Sequence, residues 1–494
     1  MAFSTTPSEG ADRLRATSEG QTINALGGND WIRSTFSGST LYGGLGHDRI
    51  TVTLAPPPVG ADFTGSAALF GGNGNDWLVT EAIGRATLDQ AFSINVEQSG
   101  GRGNDNLYVS ATSTSENSQS SIGAFTFNLS GGTGDDSIWV ESDGEAGGAN
   151  SIVDAGTGSD IVYIFADGNF FGGQSTNNVL AGAGDDDVTA QAYGDFFGGN
   201  GENVINGGDG NDRVEATVRG YGGSNEIYGE EGDDFLIADG IVGADTGAEL
   251  ANTVSGGDGD DIIQMDGSVF ASGAFIENVA YGDDGDDEIT SNAFFPGDGD
   301  PNGTSQATAT TLLYGGAGSD VLTATTNFAA SVEGEGGATL YGGDGNDILR
   351  VNGGVENVLN GGAGDDTITG GSGNDRIIGG SGADILRSGG GEDAFVYLWT
   401  TGVDLATRDT IRGFGFGDDV IDLSAIDANA NQRGNQAFTF GGGTGVGRAW
   451  VEDNATGTGS VIRANTGGAE QLYINVEDGT GRDASDWTAD DFLL

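Results

Sequence analysis

The chain has 494 residues, of which 95 are glycine and none is cysteine, so disulfides and thiolate metal sites are excluded. Its 17 cationic side chains are all arginine and stand against 75 carboxylates, a formal charge of −58. A surface this acidic repels nucleic acid and anionic membranes and attracts metal cations. The glycine content implies either a repeat protein or a disordered chain. There is no period of three, and 36% hydrophobic residues favour the repeat. No run approaches the length of a transmembrane helix, and the opening MAFSTTPSEGADRLR lacks the apolar region of a cleavable signal peptide.

Residues 1–20 are polar and irregular and are expected to form an N-terminal arm or a first half-coil. From residue 21 a short pattern recurs. A degenerate copy, ALGGNDWI, occupies 25–32 with Asp30 in the aspartate position. Clear copies begin at Gly43 (GGLGHDRI) and continue to Gly342, with their sixth positions at Asp48, Asp76, Asp105, Asp136, Asp160, Asp186, Asp212, Asp234, Asp261, Asp287, Asp320 and Asp347. The eighth position is aliphatic in every copy, from Ile50 and Leu78 to Leu322 and Leu349. That regularity predicts the inward face of a solenoid.

A two-sided roll of nonapeptides takes roughly 18 residues per coil. From Gly43 to Gly342 every step between successive copies is longer than that, as from Gly43 to Gly71 and from Gly71 to Gly100. The larger step predicts three sides per coil, with the motif at one corner. Two residues before most copies stands another apolar residue, as at Leu41, Leu69, Val153, Ile205 and Leu340. Two before several of these is asparagine: Asn177, Asn203, Asn225, Asn252 and Asn357, with Asn278 in register. Such asparagines either hydrogen-bond along a ladder of strands or simply form turns. Between the copies, Phe170-Phe171, Phe196-Phe197 and Phe294-Phe295 are expected to pack rather than bind. Pro56-Pro57-Pro58 reads as a rigid surface loop. Asp298 to Gly303 (DGDPNG) opens like an EF-hand loop, but its twelfth position is Ala309 where a bidentate Glu is needed.

At 361–396 four nonapeptides follow one another without spacer: GGAGDDTIT, GGSGNDRII, GGSGADILR and SGGGEDAFV. Their aspartates are Asp366, Asp375, Asp384 and Asp393, and their apolar residues Ile368, Ile377, Leu386 and Phe395. Glycines turn the backbone with φ > 0 and leave its carbonyls bare. An aspartate beside bare carbonyls makes an all-oxygen site for a hard cation such as Ca²⁺. Here the steps fall to nine, so the copies starting at 342, 361 and 379 are expected to stack as one ladder and those at 370 and 388 as a second. The sequence resembles the RTX (repeats-in-toxin) family. That resemblance implies a parallel β-roll with calcium between coils, held by sixth-position aspartates of neighbouring turns and by glycine carbonyls. Fourteen stacked copies and the extra pair then hold about 14 ions, each with six to eight oxygen ligands.

After residue 397 the composition shifts. The block DTIRGFGFGDDVIDLSAID (409–427), several strand-like pieces, and the ending DWTADDFLL are similar to the region that follows the repeats in secreted serralysin-type proteases. The resemblance implies export by a type I secretion system to the cell surface or the medium, without a cleaved N-terminal signal.

Catalytic residues are scarce. His47 is the one histidine and occupies the fifth, variable position of a copy, where a solvated turn residue is expected. There is no HExxH, no GxSxG elbow and no lysine. Arg213, Arg219 and Tyr221 form the nearest cluster that a β-helix polysaccharide lyase or epimerase could use. The expectation is therefore an all-β parallel solenoid, with an arm over 1–20 and coils of about 26 residues over 21–360. A tandem roll over 361–397 follows, then a β-rich cap with the secretion region over 398–494. It is a calcium-binding, non-enzymatic protein that folds as ions bind and serves a matrix, surface-layer or self-assembling role. An adhesin or glycan-binding module is the alternative. The partners are calcium, further copies or a surface polysaccharide, with no nucleic acid and no membrane insertion.

Overall fold

The computed structural model describes residues 6–54, 63–86, 92–115, 124–144, 148–168, 173–194, 199–243, 247–270, 273–296, 305–328, 332–398, 407–415, 417–454, 457–468, 471–477 and 483–494. Pro56–Pro58, Phe170-Phe171, Phe196-Phe197 and the DGDPNG loop lie outside the described residues. The chain divides into two units: 1–258 with 264–276 and 296–305, and 259–263 with 277–295 and 306–494. Among the described residues there is no α-helix, only a single 3-10 turn at Ala489–Asp491.

The first unit consists of two parallel sheets. Each copy of the motif is the turn that joins a strand of one sheet to a strand of the other. Phe92–Arg102 pairs with Phe63–Asn73 and Phe125–Thr133. After the turn, Asn106–Ser115 pairs with Trp77–Ala86 and Ser137–Gly144. Alternation does the sorting: in Phe92–Arg102 every second residue is buried, the period-2 rule of a strand with one face inward. The eighth-position residues, from Ile50 to Phe395, are at most 1% exposed. Each Leu or Ile so buried contributes about 1.5–3 kcal/mol.

A coil thus has two sides, not three. The extra residues of the long coils lengthen the strands. Phe92–Arg102 has 11 residues, whereas Thr367–Thr369 in the tandem region has 3. Repeat length in a parallel roll reports coil perimeter, and perimeter can grow without adding a corner.

The coils begin at the first described strand. Arg13–Arg15 pairs with Trp31–Ser34 and that with Arg49–Leu54, at register Arg13↔Trp31↔Arg49. Each of these first steps equals a pair of nonapeptides, the same perimeter as a tandem coil.

In the second unit, Val321–Phe328, Ile348–Gly353, Thr367–Thr369, Ile385–Arg387 and Asp409–Arg412 form one parallel series. Val358–Ala363, Arg376–Ser381, Ala394–Val396 and Val420–Asp422 form the other. Both series then close. Gln471–Glu477 pairs parallel with Asp409–Arg412 and turns antiparallel through Ser460–Asn465 to Arg448–Asp453. Phe492–Leu493 pairs with Val420–Asp422. Phe414, Trp487 and Phe492 pack behind Phe395, with Trp487 4.9 Å from Phe414 and 5.6 Å from Phe492, measured between ring centroids. The aromatic plug covers an open strand edge and core that would otherwise face water.

The asparagines do form a ladder. Asn177 Nδ2 donates to Asn203 Oδ1, Asn203 to Asn225 and Asn225 to Asn252, each at 2.9 Å. The same amides donate to the Gln191, Thr217 and Asp239 carbonyls of the facing sheet, at 2.9–3.2 Å. The ladder therefore ties the two sheets together inside the roll. Asn357 does not belong to it: its Nδ2 donates to Asp375 Oδ1 at 2.7 Å, so it heads a column of aspartates.

Candidate metal centre

The sixth-position side chain follows the motif's tight turn and points inward, at the mouth of the core. All sixteen expected aspartates, from Asp48 to Asp393, are at most 3% exposed. They form columns. In the first unit the backbone N–H of Asp48 donates to Asp76 Oδ1, Asp76 to Asp105 and Asp105 to Asp136, each at 2.7 Å. The column continues through Asp160, Asp186 and Asp212 to Asp234. In the second unit Asp261, Asp287, Asp320, Asp347, Asp366 and Asp384 repeat the arrangement at 2.9 Å. A second column runs Asn357, Asp375, Asp393. The copies at 342, 361 and 379 therefore stack together, and those at 370 and 388 stack on the opposite turn.

Each carboxylate spends one oxygen on this column. The other, Oδ2, is buried without a hydrogen-bond partner at Asp48, Asp76, Asp105, Asp136, Asp160, Asp186, Asp212, Asp287, Asp320, Asp347, Asp366, Asp384 and Asp393. An ionised oxygen so placed is costly unless a cation meets it. The space it faces is small and lined by oxygen. A Cβ added to Gly43 would lie 2.3 Å from Asp48 Oδ2 and 2.7 Å from the Gly71 carbonyl oxygen of the next coil. At Gly361 the corresponding distances are 2.1 Å to Asp366 Oδ2 and 2.6 Å to the Gly379 oxygen. Ala155 and Ala181 stand at this place in two coils, so the cradle there is narrower. Carboxylate and carbonyl oxygens, with no nitrogen or sulfur, form the donor set of a hard cation and fit Ca²⁺. Among the described residues no group of three or more acidic or histidine side chains gathers at one point. Any cation here would take carbonyls for much of its shell.

The second and fourth residues of most of these turns have positive φ, for example 111° at Gly72 and 129° at Gly74. Three copies place another residue in the second position at this conformation: Leu26 at 77°, Glu230 at 85° and Asp283 at 79°. Such residues are strained there.

Without a cation, burial raises the column's carboxyl groups from their ordinary 3.8, and neighbouring aspartates add to the rise. Asp48, Asp105 and Asp136 reach about 7, and Asp366 about 8. The backbone N–H received by each Oδ1 opposes the rise but does not cancel it.

Three members escaped the sequence reading. Asp12 donates its N–H to Asp30 Oδ1 at 2.6 Å, and Asp30 to Asp48 at 2.7 Å, so the first column starts two coils before Gly43. Asp409 and Asp419 accept from Asp384 and Asp393 at 3.1 Å and extend both columns past the last glycine motif. The remnant Asp-x-Ile in DTI and DVI was the available signal. The fifth position also bonds between coils in many copies, though not through the Ala383 side chain. Its side chain accepts a backbone N–H from the next coil, as Asn29 does from His47, Asp135 from Ser159 and Asp185 from Asn211, at 3.0–3.1 Å. His47 plays the same part, its Nδ1 accepting from Asn75 N–H at 2.7 Å, and its ring is exposed. Arg213 and Arg219 lie toward opposite ends of the strand Arg213–Gly220, roughly 20 Å apart at 3.3 Å per residue, and do not form a joint site.

The family model described as peptidase M10 serralysin C terminal matches residues 43–487, and that of the RTX calcium-binding nonapeptide repeat (4 copies) matches residues 24–52. Two solution structures, of the AlgE6R2 and AlgE6R3 subunits of the mannuronan C5-epimerase from Azotobacter vinelandii, are similar to parts of the chain. The first is 21% identical over 32% of this chain and 86% of its own, with a TM-score of 0.21. The second is 22% identical over 39% and 81%, with a TM-score of 0.15. No curated protein matches.

Proposed function

This chain belongs to the peptidase M10 serralysin C-terminal family of RTX calcium-binding repeat proteins, and we propose that it is a secreted scaffold assembled by calcium. The chain leaves the cell through a type I system as a largely unfolded polymer, because the columns repel themselves while cytoplasmic calcium is low. Outside, calcium at concentrations that fill extracellular modules, whose Kd is on the order of 10⁻⁴–10⁻³ M, meets the unpartnered Oδ2 oxygens, and metal-binding energy becomes folding energy. The folded roll then serves a structural role in a matrix, a surface layer or a self-assembled array, with no catalytic step. Asp48, Asp76, Asp105, Asp136, Asp160, Asp186, Asp212, Asp234, Asp261, Asp287, Asp320, Asp347, Asp366, Asp375, Asp384 and Asp393 are the proposed ligands, joined by Asp30, Asp409 and Asp419. The supporting observation is the run of buried carboxylates, among them Asp48, Asp76, Asp105, Asp287, Asp320 and Asp366, whose second oxygen has no hydrogen-bond partner; at Asp375 and Asp419 that oxygen accepts the N–H of Gly371 and Gly415.

The test is a calcium titration of the chelated chain, following far-UV circular dichroism and light scattering together. A disordered chain that gains sheet with calcium and then grows into filaments or sheets supports the reading. A sheet-rich spectrum at neutral pH in excess chelator overturns calcium-driven folding. A monomer that stays discrete at high concentration overturns the assembling role and leaves the calcium reading intact.

A further inference from the structure

We infer that the outer face of the first unit carries a binding groove for a neutral saccharide chain. The inference needs only that the calcium-loaded unit be folded, and it stands whether or not the protein assembles. Four consecutive strands form the face: Arg49–Leu54, Trp77–Ala86, Asn106–Ser115 and Ser137–Gly144. Their registers set outward side chains in rows across the coils. Arg49, Trp77, Asn106 and Ser137 occupy one row, and Val79, Tyr108 and Trp139 the next.

The rows place large rings beside small side chains. Trp77 is followed by Asn106 and Ser137, and Val79 precedes Tyr108 and Trp139. The two tryptophans therefore stand at opposite corners of a depression of about 540 Å³, a size usual for small-ligand sites. By strand spacing and rise they are roughly 12 Å apart, two strands over and two residues along. Trp77 is 49% and Trp139 45% exposed, although each ring would gain by burial. Neighbours hold both in place. The Arg49 guanidinium lies 5.3 Å from the Trp77 ring centroid, and Trp139 stacks on Tyr163 at 4.1 Å. Rigid exposed rings lose little entropy when a ligand covers them.

The polar groups select the ligand. Arg49 and Asn106 offer N–H donors, Glu81 offers an acceptor, and Ser137 offers both. Arg49 is set against Glu81, and Glu141 lies beside the groove, accepting from Tyr108 Oη at 3.5 Å, so the groove is not cationic and the chain's −58 charge adds to its repulsion of polyanions. A purely apolar segment would leave these donors and acceptors unpaired. A pyranose matches the mixture, since its C–H face packs on an aromatic ring and its rim of hydroxyls both donates and accepts. The open run of four coils suits several linked sugars better than one.

Another exposed aromatic series is less suited. Tyr281, Tyr314 and Tyr341 in the second unit stack directly on each other at 5.0 and 5.1 Å, nearly parallel, so no depression opens between the rings as it does between Trp77 and Trp139.

The experiment uses the full chain in saturating calcium, with its fold checked by circular dichroism. Hexasaccharides of β-1,4-glucose, β-1,3-glucose, β-1,4-mannose and β-1,4-N-acetylglucosamine are titrated by calorimetry and tryptophan fluorescence, with a polyuronate hexasaccharide as the charged control. At least one neutral member is expected to bind, with Kd raised tenfold or more in Trp77→Ala and severalfold in Glu81→Gln, and unchanged in Tyr314→Ala. Glu81→Gln retains the size of the side chain and the Trp77 ring, so it decides the matter if Trp77→Ala disturbs the fold. Absence of binding by every neutral member, binding indifferent to both variants, or tighter binding of the polyuronate would overturn the inference.

Discussion

The long coils of the first unit and the tandem coils at 361–396 solve the same problem with different means. A long coil carries one aspartate column, on one turn, and strands such as Phe92–Arg102. Several of these coils add the Asn177–Asn252 ladder, which bonds coil to coil and sheet to sheet without any ion. A tandem coil has three-residue strands such as Thr367–Thr369 and Ile385–Arg387, and it carries aspartate on both turns, Asp366 and Asp384 on one and Asp375 and Asp393 on the other. Apolar area and backbone pairing per coil are smaller there, and buried carboxylate per residue is greater. Buried carboxylate stands on both turns of the tandem coils where the long coils have apolar strand, and we propose that calcium there provides cohesion that longer strands provide elsewhere.

The largest effect that can break this comparison is chelation. As calcium is withdrawn at pH 7.5, amides of Thr367–Thr369 and Ile385–Arg387 are expected to lose hydrogen-exchange protection before those of Phe92–Arg102 and Asn106–Ser115. Loss in the reverse order would mean that strand length, not ion density, sets calcium dependence.

Next in size is the response to pH in chelator. The unfolded carboxyls titrate near 3.8, while Asp48, Asp105, Asp136 and Asp366 in the folded chain titrate at about 7 to 8. The metal-free fold holds protons that the unfolded chain has released, so its stability is fully present below about pH 4 and is lost as pH rises through the folded values. Acidifying the chelated chain from pH 8 to pH 4.5 should therefore restore sheet in the far-UV spectrum. The apparent calcium midpoint should fall, meaning tighter binding, as pH rises through the same range. A spectrum flat across that range would count against protonation of the columns.

A smaller effect belongs to the long coils alone. Asn203→Ala leaves Asn177 Nδ2 and Asn225 Oδ1 without their ladder partner inside the roll, at a cost of about 1–3 kcal/mol. Thermal unfolding in saturating calcium should show it, while exchange protection at Thr367–Thr369 stays unchanged. A matching loss of protection in the tandem coils would mean that the regions do not act separately.

The smallest change is a gain. Leu26 holds φ at 77° in a turn position that glycine fills in most copies, and Leu26→Gly should stabilise the first coils by about 1 kcal/mol or less. Exchange at Ile32 and Ile50 would report it. Destabilisation would show that the Leu26 side chain is held by contacts worth more than its strain.

Much of the molecule was written in local chemistry. The fixed interval between glycine, aspartate and aliphatic residue marks turn, buried carboxylate and core within a few residues of one another, so the columns and their buried Ile and Leu partners could be read directly. Asp409 and Asp419 were harder, because the glycines that announce the motif are gone and only Asp-x-Ile remains. Asn357 was misplaced for a related reason: it stands four residues after Gly353 and two before Leu359, so it fits both the asparagine spacing and the sixth position of a degraded repeat. Only its bond to Asp375 separates the two.

By itself the sequence determined the all-β parallel roll, the calcium chemistry and the identity of nearly every column member, because each is set by residues adjacent in the chain. Only the tertiary structure decided the number of sides per coil. The same long step between motifs closes into two long strands or three short ones, and the choice depends on how strands pair across coils. Tertiary structure also decided that the fifth position bonds the next coil, that the asparagines join both sheets, and that Trp77 and Trp139, distant in the chain, face one groove. These are contacts between coils, and register between coils is fixed by packing and hydrogen bonding that no single repeat contains.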